Sequence, residues 1–306
     1  MASSELPAED GHRIRVYRWY PDPATSPRAI MHIFHGLGEH AARYERFACA
    51  CNENGLVVVA HNHRGHADTA EVAGHFADRE GWDKVIADAL AVQEQLVAEF
   101  PDIPVVLFGH SMGSFIAQSF VMRHPSKVSL LILSGSAFAS RVEARLARAV
   151  ASLLALFGRR SKSRLLDRLG FGAFNKAFAP ARTDFDWLSR DDAEVDRYLA
   201  DPHCGGKFSN QLWKDLMGGL LEITSADAIA SIPADLPILI LGGQVDPVGG
   251  VKGLTRLADV YRQTGHADVT LTIYDGGRHE MLNETNRDEV TSDVVRWIDS
   301  HLSHRG

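Results

Sequence analysis

Cysteine is scarce in this chain, and the three that occur, Cys49, Cys51 and Cys204, make an odd number. Cys49 and Cys51 fall in one helix-like stretch where they cannot readily bridge each other. Reduced thiols are therefore expected. A Cys-x-Cys metal site is set aside because no further sulfur ligand lies near the pair. No apolar run approaches the roughly 18 residues of a membrane-spanning helix. The segment Met1 to Tyr20 carries acidic residues and no apolar centre, unlike a secretory signal. Positive charge is also short: a net charge of −7 leaves no basic footprint for nucleic acid. With 45% hydrophobic and 23% charged residues over 306 positions, the chain is neither disordered nor fibrous. The expectation is a soluble, cytoplasmic globular protein without a nucleic-acid partner.

What is present is organised around Val105 to Phe120, VVLFGHSMGSFIAQSF. An apolar, β-prone run bounded by Pro104 breaks at Gly109. Beyond Gly113 the residues Phe115, Ile116, Ser119, Phe120 and Met122 recur at helical spacing. The break reads Gly109-His110-Ser111-Met112-Gly113, the Gly-x-Ser-x-Gly of a nucleophile elbow. A serine at positive φ on such a turn brings the flanking backbone so close that a Cβ two residues away on either side would clash. The same turn places Met112 N–H at a helix N-terminus, where it can donate to an oxyanion.

On either side of this stretch strands and helices alternate. Arg13 to Tyr20, Ala29 to Phe34, Leu56 to Ala60 and Lys127 to Ser134 read as strands. Tyr44 to Asn54 and Gly81 to Glu99 read as helices, the second amphipathic. The alternation implies a mainly parallel sheet flanked by helices. His35-Gly36-Leu37-Gly38 directly follows a buried strand and offers Leu37 N–H as the second oxyanion donor. After later strands come Asp246, in LPILILGGQVDPVGG, and His279, in VTLTIYDGGRHEMLNE. The chain order Ser111, Asp246, His279 is that of an α/β-hydrolase triad, with His279 as base and Asp246 orienting it. Asp275 is the rival acid, disfavoured by its closeness in sequence to His279. His61, His63 and His66 have the histidine spacing of a known hydrolase metal motif, but Gly65 stands where that motif has its acid. A solvated loop is expected there, with no metal and no cofactor.

The alternation stops near Ala139 and resumes at Leu236. The domain expectation is a core of residues 1–138 and 234–306 with a helical cap inserted at 139–233. Residues 141–168 carry eight basic and two acidic side chains, and 184–201 carry seven acidic and two basic. Mutual pairing of these two faces is the expectation. Within Ala147 to Phe157, the residues Val150, Leu153, Leu154 and Phe157 fall on one helical stripe. The stripe either packs inward or meets acyl chains and, transiently, a lipid surface.

HGLGEHAARYERFA, RGH, GHSMG, SRDDAEVDRYLADP, GGQVDPV and GRHEMLNE together resemble the monoacylglycerol lipase and lysophospholipase branch of the α/β-hydrolases, which is grouped with serine aminopeptidase-like domains. The resemblance covers nearly the whole chain. It implies an α/β-hydrolase fold, Ser111, Asp246 and His279 as triad, Leu37 and Met112 as oxyanion donors, and a small ester or lipid as substrate. The branch commonly shows Asp-x-Arg-Gly-His-Gly-x-Ser, where this chain has His61-Asn62-His63-Arg64-Gly65-His66-Ala67-Asp68. That departure bears on substrate class. A serine aminopeptidase, whose substrate amine would meet the acidic stretch 184–201, and a non-catalytic binding module remain as the other readings.

Overall fold

The computed structural model describes residues 1–303. Eight strands form one sheet in the order β1-β2-β4-β3-β5-β6-β7-β8. They are β1 (Ala2–Pro7), β2 (Arg13–Trp19), β3 (Ala29–Phe34), β4 (Leu56–His61), β5 (Val105–His110), β6 (Leu130–Ser134), β7 (Ile238–Gly243) and β8 (Val269–Tyr274). From β4 to β8 all neighbours are parallel, while β1 and β2 are antiparallel additions at one edge.

Every residue of β3, β4, β5, β6 and β7 is buried, as expected for strands covered on both faces. Successive side chains go to opposite faces. Leu131, Leu133, Ile238 and Ile240 join one apolar cluster; Leu130, Ile132, Leu239 and Leu241 join the other. The first face is covered by α2 (Gly81–Glu99) and α3 (Met112–Arg123), the second by α1 (Glu45–Glu53).

Five helices enter between β6 and β7: α4 (Arg141–Phe157), α5 (Arg164–Phe171), α6 (Asp192–Ala200), α7 (Asn210–Ile223) and α8 (Ala226–Ala230). Helix α7 joins the cluster of α2 and α3 through Leu212, Trp213, Leu216 and Ile223. It lies so close that a Cβ on Gly219 would come within 2.2 Å of the Trp82 indole. Helices α9 (Gly250–Gln263) and α10 (Arg287–Leu302) complete the chain, α10 on the face of α1 through Val290, Val294 and Ile298.

Two expectations about the inserted helices fail. No ion pair joins the basic stretch 141–168 to the acidic stretch 184–201 among the described residues. Instead Arg182 pairs with Asp192 and Asp196, Arg287 with Asp191 and Glu194, His40 with Asp201, and Arg160 with Asp78. The stripe on α4 also divides. Small residues Ala144, Ala151 and Ala155 form its buried side and Val150 and Leu154 pack beside them. Leu153 and Phe157 turn outward at 57% and 85% exposure. At 3.6 residues per turn, Leu153 lies about 100° around the helix from Leu154.

Candidate active site

Ser111 closes the turn between β5 and α3 with φ 53° and ψ −121°. Both glycines of the motif are sterically required. A Cβ on Gly109 would lie 2.4 Å from Gly113 O, and one on Gly113 would lie 2.1 Å from Phe34 O. Ser111 N–H donates to Ser134 O at 2.9 Å, tying the turn to β6. Met112 follows at the start of α3, where the first N–H groups lack intrahelical acceptors.

The loop after β3 lies against this turn: a Cβ on Gly36 would approach Ser111 Cβ to 3.2 Å. Its shape is held from below. Gly36 N–H donates to Glu39 Oε1 at 2.6 Å, and Gly38 takes φ 77°. His63 N–H donates to His35 Nε2 at 2.9 Å, so the His35 proton sits on Nδ1 and points to Gly36 O at 2.8 Å. Burial holds His35 neutral by driving its pKa well below the ordinary value.

Asp246 and His279 meet because β7 and β8 are neighbours. Val245 N–H donates to Gly277 O at 3.0 Å, and a Cβ on Gly243 would lie 2.1 Å from that same oxygen. His279 Nδ1 donates to Asp246 Oδ2 at 2.9 Å and both residues are buried. Asp275 is exposed. Burial opposes protonation of His279, but the Asp246 carboxylate, with Glu280 and Glu39 adding to it, raises the pKa above the ordinary value.

Ser111, Met112, Leu37 and His279 line one cavity of about 430 Å³. Its remaining wall comes largely from the inserted helices and their loops, including Phe171, Trp187, Phe208, Trp213, Leu216 and Leu220. The His279 loop is fastened to that insertion. Glu280 N–H donates to Leu188 O at 2.8 Å, and buried Glu284 accepts from Arg190 Nε at 2.9 Å and from Arg278 N–H at 2.9 Å.

Sequence reasoning missed the polar network at the cavity wall, which Glu39 and Glu280 line. Glu39 accepts from Gly36 N–H, from Tyr44 Oη at 2.8 Å and from Arg43 Nη1 at 2.7 Å. Arg43 also makes two 2.7 Å bonds to Glu280. Burial disfavours the Glu280 carboxylate, yet Arg43 outweighs it and holds the pKa below the ordinary carboxylate value. The available signals were the Glu39 to Arg43 spacing of four and the carboxylate directly after His279.

The expectation of a solvated loop at His61 to Asp68 is overturned. His61, His63 and His66 are at most 4% exposed, and Arg64 is locked by Asp88 and Asp10. Their rings pack as aromatic groups, with His63 4.3 Å from His35 and 5.7 Å from Phe34 between centroids. Their nitrogens do not form a metal-sized group among the described residues. Gly65 is needed where the metal motif has its acid, since φ is 75° and a Cβ would lie 2.5 Å from His75 O.

The family described as serine aminopeptidase, S33, matches residues 25–286. The chain belongs to this family. A monoacylglycerol lipase of Mycolicibacterium smegmatis is 31% identical, with 95% of each chain covered. Among solved structures, a thermostable carboxyl esterase from Bacillus coagulans in complex with glycerol superposes with TM-score 0.91 at 27% identity, covering 98% of each chain. A lipase in open form gives TM-score 0.87 at 29% identity, covering 98% of this chain and 99% of that one. With the eight-stranded sheet, these likenesses make this S33 member an α/β-hydrolase related to monoacylglycerol lipases and carboxyl esterases.

Proposed function

We propose that this S33-family protein is a serine hydrolase of carboxylic esters, with glycerol monoesters as its substrate class and Ser111, His279 and Asp246 as its catalytic residues. The observation that carries the reading is the meeting of an elbow serine, an Asp-held histidine and two backbone loops at one apolar cavity. Ser111 Oγ attacks the ester carbonyl carbon as His279 takes its proton, and the developing oxyanion receives the N–H groups of Leu37 and Met112. The alcohol leaves with the proton from His279. Water, deprotonated by the same imidazole, then breaks the acyl-enzyme to acid and free Ser111. No metal or cofactor takes part in this scheme.

Residues 139–233 act in this reading as a cap. Its aromatic and aliphatic inner wall receives the acyl chain. Its outer face, with Leu146, Leu153, Leu156, Phe157, Leu165 and Leu169 exposed beside basic residues, makes transient contact with lipid surfaces. An amine-terminated peptide finds little here, because the acids of 184–201 are mostly consumed by Arg182, Arg287, Arg197 and His40, and only Asp184 among them lines the cavity.

Initial rates on monoacylglycerols and p-nitrophenyl esters of increasing chain length, set beside aminoacyl amides, test the proposal. Turnover of esters with a preference beyond acetyl is expected. Faster cleavage of the aminoacyl amides would overturn it.

A further inference from the structure

His40, Asp201 and Cys204 bring three metal-competent atoms within 4.8 Å of one another, and no other such group occurs among the described residues. From this we infer a binding site for a zinc-like divalent ion, distinct from the catalytic residues, that joins the loop after β3 to the loop after α6.

The donors suit that ion. Imidazole, carboxylate and thiolate are all common zinc ligands, and three protein donors leave a fourth position for water. The His203 ring lies 6.0 Å from that of His40 and stays outside the donor group. The donors are also pre-set. His40 Nε2 already lies 2.8 Å from Asp201 Oδ2. A tight turn aims Asp201 and Cys204 at the same point, since Cys204 N–H donates to Asp201 O at 3.1 Å and His203 N–H donates to Asp201 Oδ1 at 2.8 Å. Such outer bonds orient a ligand before the ion arrives. Local charge is permissive: Arg43, the neighbouring cation, is matched by Glu39 and Glu280, and no Arg or Lys pairs with Asp201 among the described residues. Binding replaces the His40–Asp201 hydrogen bond: the imidazole proton moves to Nδ1, Nε2 and Asp201 Oδ2 bind the ion, and the Cys204 thiol proton is released to solvent as the sulfur–metal bond forms.

The position gives the ion a consequence. Gly205 N–H and Tyr198 Oη both donate to Gly38 O, at 2.7 and 2.8 Å, so the loop carrying Cys204 already touches the loop carrying Leu37. A bound ion adds a cross-link between the two at the cavity rim. It clamps them without entering the chemistry.

Titration of the metal-free full chain with Co2+ as a spectroscopic stand-in tests the site, with Zn2+ as competitor. One equivalent per chain, a thiolate-to-cobalt charge-transfer band and its displacement by Zn2+ are expected. Cys204→Ser should abolish the band and Cys49→Ser should keep it. Zn2+ should raise Tm in the wild type and in Cys49→Ser but not in Cys204→Ser. A missing band, a band surviving in Cys204→Ser, or an equal Tm shift in all three proteins would overturn the site. Should Cys204→Ser fail to fold, Asp201→Asn decides: Co2+ affinity at least tenfold weaker supports the site, and unchanged affinity rejects it.

Discussion

The Nδ1 atom of His279 lies 2.9 Å from one carboxylate oxygen of Asp246 and 3.0 Å from the other, with both residues out of solvent. An asparagine at 246 keeps the shape but can present an N–H where the imidazole needs an acceptor. The result is the wrong tautomer at Nε2. Asp246→Asn is therefore expected to lower kcat on a p-nitrophenyl ester by about 10⁴. Asp275→Asn, at an exposed position, should stay within a few-fold of wild type. Steady-state kinetics of the two variants side by side give the comparison, and a reversed order would assign the acid to Asp275.

In the proposed mechanism the raised pKa of His279 sets the acid limb of the pH profile. Only the neutral imidazole can take the Ser111 proton, and Asp246 favours the protonated form. Activity should accordingly rise with pH through an apparent pKa above the ordinary histidine value of 6.5. A profile of kcat/KM against pH reads this value directly. A limb centred below 6.5 would mean that burial, not Asp246, governs the histidine.

At the cavity wall, Arg43 is the sole cation in contact with both buried carboxylates, Glu39 and Glu280, among the described residues. Arg43→Ala leaves both charges buried without that partner. The expected loss is about 3–5 kcal/mol in urea unfolding. Arg13→Ala, which removes an exposed pair with Glu5, should cost under about 1 kcal/mol. Equal effects would contradict the burial argument.

How far the sequence speaks for the molecule depends on what each residue must satisfy locally. Gly109, Ser111 and Gly113 are legible because only a positive-φ serine between glycines fits that turn. Asp246 and His279 are legible because parallel strands end on the same edge of a sheet. Strand β1, ASSELP, is not, since five of its six residues are exposed and no alternation marks it. The acidic run 184–201 looked like the natural partner of the basic run 141–168, but its partners Arg182, Arg287 and His40 come from elsewhere in the chain. Ion-pair choice is set by tertiary proximity, which charge counts along a sequence do not contain. The histidines at 61, 63 and 66 misled for a related reason. Polar residues suggest a solvated loop, yet here neutral imidazole rings serve as packing groups around Phe34 and His35.

The divided stripe on α4 separates a core side from an exposed apolar side. Leu154 packs against the apolar cluster, so Leu154→Asp should lower Tm and reduce activity on all esters alike. Leu153 is 57% exposed, so Leu153→Asp should leave Tm within about 2 °C, consistent with the small effects of most surface changes. It should slow hydrolysis of decanoyl esters presented in micelles more than that of dissolved acetyl esters. Calorimetry and paired rate measurements distinguish the two. An equal loss on both esters from Leu153→Asp would rule out lipid contact at that face.

The most direct test of the account is the mass of the covalent adduct formed with a fluorophosphonate. One phosphonyl group per chain is expected, located on the peptide containing Ser111, with labelling and ester turnover both lost in Ser111→Ala while its melting temperature is kept. Removal of a triad nucleophile typically costs about 10⁶ in kcat, so the residual rate should be near background. Labelling at another residue, or a Ser111→Ala rate within tenfold of wild type, would contradict the central claim.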